Sequence, residues 1–122
     1  MGQMFDLSCK CGYKKEVSLG EGLMAINLDF IRRIFDPDEL TDFENAIANG
    51  ACDYSFGQRI AYCSSCKDIE NVTVLRYVED GNTNIVCKPC QKCDSEVTLQ
   101  GELGNCPLCG TKMTMKETGM WD

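Results

Sequence analysis

The cysteines constrain this chain more than any other feature of it. They fall at positions 9, 11, 52, 63, 66, 87, 90, 93, 106 and 109, and eight of them stand in close pairs: Cys9/Cys11, Cys63/Cys66, Cys90/Cys93 and Cys106/Cys109. A chain of 122 residues buries only about two-thirds of its unfolded surface, so its apolar core is marginal without disulfides or metal. The compartment decides between the two. The opening "MGQMFDLSC" lacks a basic start followed by an apolar run, and charges interrupt every apolar stretch before the roughly 20 residues that cross a bilayer. These features imply a cytoplasmic chain without a membrane partner, and in a reducing cytosol close cysteine pairs are metal ligands rather than disulfides. The Met-Gly start is not a myristoylation motif, because Asp6 stands where Ser or Thr is needed.

The strongest pattern is Cys90-Gln-Lys-Cys93, twelve residues, then Cys106-Pro-Leu-Cys109-Gly110. Two such turns direct four sulfurs at one tetrahedral cation. "CQKC" and "CPLCG" resemble the knuckles of the zinc-ribbon family over about residues 85–117. Asp94 departs from that family, which commonly has glycine there. Cys63-Ser-Ser-Cys66 and Cys9/Cys11, the latter with a "CGY" tail, are left as a second set. They are expected to form a second zinc ribbon, its knuckles separated by an insertion whose closure costs little against the metal's binding energy. The whole chain is also similar to small bacterial ribbon proteins through "CGYKKEVSLGEG", "NGA" and "YCSSC". That group has no established activity, so the resemblance bears on fold and not on function. Cys87 continues Cys90 and Cys93 into C-x-x-C-x-x-C and is an alternate ligand to either; otherwise it is a strand residue beside the site. Cys52, in "NGACDYS", reads as a small buried residue.

Between the first two pairs, residues 23–35 place Leu23, Ile26, Phe30, Ile31 and Ile34 on one helical face. A second helix follows, with Asp36 as its cap, Pro37 in its first turn, Asn49-Gly50 as its stop, and Leu40, Phe43 and Ile47 facing inward. "EVSL", "RIAYC", "NVTVLRYV", "NIV", "EVTLQ" and "TKMTMK" read as strands, with turns at "DGNTN" and "GELGN". Met120 and Trp121 lie beyond the last of these, where Trp121 either folds back or anchors a partner. The expected fold is a small, metal-stabilised α+β chain of two zinc ribbons, the first interrupted by a helical hairpin. Residues 1–80 hold the first ribbon with its insertion at about 20–55, and residues 81–122 the second.

Other motifs are weaker. Gly20-x-Gly22-x-x-Ala25, with Glu39 or Asp42 about twenty residues on, fits a relaxed dinucleotide fingerprint but lacks a buried parallel strand to head it. Asp36, Asp38, Glu39, Asp42 and Glu44 lack calcium-loop spacing and read as capping and a solvated face. The chain has no histidine, the commonest general base, and four thiolates per site leave no position for a reactive water. The expected function is therefore a non-enzymatic protein-interaction or assembly module with two structural Zn2+ ions and no small-molecule substrate. One alternative is a nucleic-acid-binding zinc ribbon, which a net charge of −7 disfavours, although Lys10, Lys14 and Lys15 form a local basic strip. The alternative from another class is an electron carrier, because "CKCGY" and "CPLCG" resemble rubredoxin's knuckles and four-thiolate geometry accepts iron as well as zinc.

Overall fold

The computed structural model describes residues 2–22, 24–100 and 105–121. Among them seven strands follow in chain order, β1 (Gly2–Ser8), β2 (Lys14–Gly20), β3 (Tyr54–Cys63), β4 (Asp68–Glu79), β5 (Asn82–Cys87), β6 (Thr98–Leu99) and β7 (Thr114–Trp121), with helices α1 (Leu28–Ile34) and α2 (Thr41–Ala48) between β2 and β3. All pairings are antiparallel, in the order β5-β4-β3-β2-β1-β7, with β6 beside β3. This corrects the expected fold. Among the described residues the fold is mostly antiparallel sheet, 47% strand and 13% helix, not a pair of zinc ribbons with a helical hairpin inserted in the first. The physical reason is strand length and long-range pairing. β3 and β4 form a ladder ten residues long, and β1, absent from the sequence reading, brings β7 to the N-terminal hairpin.

The sheet has a narrow waist. β2 meets β3 in register at one pair, Gly20 and Gln58, and the crossing is tight: a Cβ on Gly57 would stand 2.6 Å from the Gly20 carbonyl oxygen. Glycine at 57 is thus a condition of the approach. Asn71 stitches the waist from β4, its side chain accepting from the Ser18 N–H and donating to the Ser18 carbonyl.

The helices are shorter than expected and cover one face of β4 and β5. Asn27 caps α1 by accepting from the Phe30 N–H, so the helix begins after Ile26, which stays 69% exposed instead of facing inward. Phe30 is also half-exposed, stacked on Phe56 at 6.4 Å. Leu23 lies outside the described residues, as do positions 101–104 of the expected "GELGN" turn. Residues 37–40 form turns rather than the first turn of α2, and Glu39 accepts from the Asp36 N–H. Leu40 and Phe43 do face inward, with Ala46, and join Ile31, Phe35, Leu75 and Tyr77 in one apolar cluster. A second cluster, Leu7, Val17, Ile60, Ile69, Cys106 and Met113, lies across the waist. Trp121 is not beyond the final strand. It ends β7 opposite Gly2, and its indole occupies the space a Cβ at Gly2 would need.

Phe43 is fully buried, with edge contacts to Tyr54 and Tyr77 at 5.4 and 5.3 Å between ring centres. Phe43→Ala is expected to cost about 3–5 kcal/mol of stability, read as a lower urea midpoint with the slope unchanged.

Candidate metal centres

Three of the four cysteine pairs sit in turns held by the same backbone device. The N–H groups of Cys9, Cys90 and Cys106 donate to the carbonyls of Tyr13, Ser95 and Thr111, and their own carbonyls accept from Gly12, Asp94 and Gly110 at 2.8–3.0 Å. Cys63 is instead paired with Asp68 where the β3–β4 ladder ends. The residue after the second cysteine is left-handed in all four turns, with φ of +99° at Gly12, +54° at Lys67, +62° at Asp94 and +78° at Gly110. Asp94 therefore takes the conformation that glycine supplies at positions 12 and 110, as short polar side chains can. The one-residue spacing of Cys9 and Cys11 is met by a turn one residue shorter, closed on Gly12.

The sheet brings these turns together as two groups of four: Cys9, Cys11, Cys106 and Cys109, and Cys63, Cys66, Cys90 and Cys93. Within each group the sulfurs all lie within 4.8 Å of one another. Cross-turn Sγ separations are 3.3 Å for Cys9–Cys109, 3.6 Å for Cys11–Cys106, 3.4 Å for Cys63–Cys93 and 3.8 Å for Cys66–Cys90. Ligands about 2.3 Å from a tetrahedral ion stand about 3.8 Å apart, so either group closes on one cation with little movement.

The partners of each pair differ from those expected. Sequence spacing joins the first pair to the second and the third to the fourth, whereas the structure nests them, first with fourth and second with third. β1 causes this, because its hairpin with β2 carries Cys9 and Cys11 and its other edge pairs with β7, which follows directly on Cys106 and Cys109. Cys87 stands outside both groups, its thiol donating to the Lys88 carbonyl, and burial raises its pKa. Cys52 is exposed, not buried, beyond the end of α2.

One polar residue recurs after each turn. The residue two after each second cysteine is Tyr13, Asp68, Ser95 or Thr111, always a hydroxyl or a carboxylate. Hydrogen bonds from Ser95 pull the Cys93 thiol down to about 6, and those from Thr111 do the same for Cys109. Cys66 is held up at about 12 by its hydrogen bond with Cys93 and by desolvation. Cys9 is also held at about 12, where the lowering effect of the Cys11 backbone is outweighed by the Cys109 hydrogen bond and desolvation. Each group thus contains one readily ionised sulfur, Cys109 or Cys93, and two that keep their protons, Cys9 and Cys11 or Cys63 and Cys66. The Tyr13 hydroxyl donates to Asp68, and burial followed by that carboxylate raises its own pKa. This two-residue offset was legible in the sequence and was missed.

No family model, no curated protein and no solved structure matches the chain. The site therefore stands on its own geometry: two groups of four cysteines able to hold metal ions.

Two measurements follow. Cys9→Ser with Cys106→Ser should abolish one metal equivalent and keep the other, whereas Cys9→Ser with Cys63→Ser should abolish both, by elemental analysis of the purified chain. Pairing by sequence neighbours would reverse the two results. Metal affinity should also rise with pH, because the ion must displace protons. Above about pH 6 Cys93 and Cys109 are already ionised, while the raised thiols Cys9, Cys11, Cys63 and Cys66 still surrender their protons; below it Cys93 and Cys109 must do so as well, so competition titrations should show affinity falling more steeply there.

Proposed function

We propose that the chain is a structural zinc protein, one ion in each four-cysteine group, that acts as a non-enzymatic interaction or assembly module for other proteins. The observation that carries the reading is the convergence of four sulfurs, from two separate turns, at each site. Four thiolates complete a tetrahedral shell, and zinc sites that hold such a shell are structural, whereas catalytic ones keep a position for water. Soft thiolate donors favour zinc over magnesium or calcium.

The partner reading rests on charge. Four thiolates around a divalent ion leave each site net negative, so the loaded chain is more acidic than its formal −7. Such a surface suits a neutral or basic protein partner better than a phosphate backbone. Thiols held ready for metal also suit the reducing cytoplasm.

Elemental analysis of the chain purified without added metal is expected to give about two zinc per chain and a colourless solution. Iron at the same stoichiometry, with thiolate-to-iron charge-transfer bands, would replace this reading with electron transfer. Salt-sensitive retention of nucleic acid by the full chain would overturn the choice of partner.

A further inference from the structure

The space between the two cysteine groups is bridged by one carboxylate. Asp68 follows Cys66 by two residues and pairs with Cys63 at the end of the β3–β4 ladder, so it belongs to the turn that presents both of those ligands. One of its oxygens accepts from the Tyr13 hydroxyl, and the Tyr13 carbonyl accepts from the Cys9 N–H. Its other oxygen faces Lys15 Nζ at 3.4 Å, on β2 directly after the first turn, and Lys92 Nζ at 3.6 Å, next to Cys93. Asp68 thus touches the first and third turns from within the second. The apolar contacts run the same way, for Ile69 packs in one cluster with Cys106 and Met113, against which Cys9 and Tyr13 also rest.

We propose that the two sites are coupled through Asp68, so that a cation in the group of Cys63, Cys66, Cys90 and Cys93 raises the affinity of the group of Cys9, Cys11, Cys106 and Cys109, and the reverse. This rests on the reading of both groups as metal sites. Filling the first of these groups fixes the turn that carries Asp68 and the turn that carries Lys92. Asp68 then stands where the Tyr13 hydroxyl and the Lys15 ammonium require it, and the Cys9–Tyr13 turn is held in its ligating form before its own cation arrives. Ordering that one ion has already imposed need not be imposed by the second, which is positive cooperativity. Coupling free energies are reciprocal, so either site reports the effect. Tyr13 and Asp68 are positioning residues in this scheme and not ligands.

The test uses cobalt(II) and chelator competition on the full chain. The affinity of the Cys9, Cys11, Cys106 and Cys109 group is compared between the unaltered chain and Cys63→Ser, each with and without Tyr13→Phe. Disabling the other group should weaken binding about fivefold or more, and Tyr13→Phe should remove most of that difference. Equal affinities in the unaltered chain and Cys63→Ser, or a difference that Tyr13→Phe leaves untouched, would overturn the coupling. Should Cys63→Ser fail to fold, the ratio of the two stepwise constants decides. Tyr13→Phe should widen it about fivefold, and an unchanged ratio would again overturn the proposal. Binding of fewer than two cobalt ions by the unaltered chain would reject the metal-site reading itself, a result distinct from two ions bound independently.

Discussion

Four thiols gathered within a few ångströms cannot all ionise without a cation to offset their repulsion, and this chain gathers four of them twice. The rest of the structure is arranged around that requirement. The outer group ties positions 9 and 109, a hundred residues apart, and the inner group ties 63 and 93. Because the groups are nested, closing the inner one shortens the flexible path that the outer one must close, and loop-closure entropy grows only logarithmically with that path. A sheet that narrows to the Gly20–Gln58 pair gains from clips on both sides of its waist. One group closes β1, β2 and β7, and the other closes the β3–β4 turn against the segment after β5.

The apolar core does not divide at the waist, since Leu7 and Val17 on one side pack in one cluster with Ile60 and Ile69 on the other. The helices and the far ends of β4 and β5 form a cluster around Phe43 that contains no ligand, while Cys106 is itself a member of the cluster across the waist. Removing metal should therefore loosen the two clusters unequally, the one that contains Cys106 being the more dependent on it. Asp68 sits where this distinction matters, because it joins a turn of one site to a turn of the other by side-chain contacts.

Which parts of this were readable in the sequence follows from the range of each signal. The turns were readable because Cys-x-x-Cys is local, and the inward face of α2 because Leu40 and Phe43 follow helical spacing. The grouping of the turns was not, since it is decided by which strands pair. β1 was the missing piece: "GQMFDLS" contains no β-branched residue, and its place in the sheet comes from β2 and β7 on either side. α1 was over-extended because apolar spacing continued through Ile26 while Asn27 set the start by capping. Cys52 was misjudged by residue type alone, in the stretch between α2 and β3 where it faces solvent. The recurrence of Tyr13, Asp68, Ser95 and Thr111 two residues after each turn's second cysteine was regular enough to be seen, but its meaning depends on how close the turns lie in space.

The central claim is the nested grouping, and NMR of the chain loaded with magnetically active cadmium tests it most directly. Scalar coupling runs from each ion only to the cysteines that bind it. The account requires one cadmium coupled to the β-protons of Cys9, Cys11, Cys106 and Cys109, and a second coupled to those of Cys63, Cys66, Cys90 and Cys93. A cadmium coupled to Cys9 and Cys11 together with Cys63 and Cys66 would contradict it.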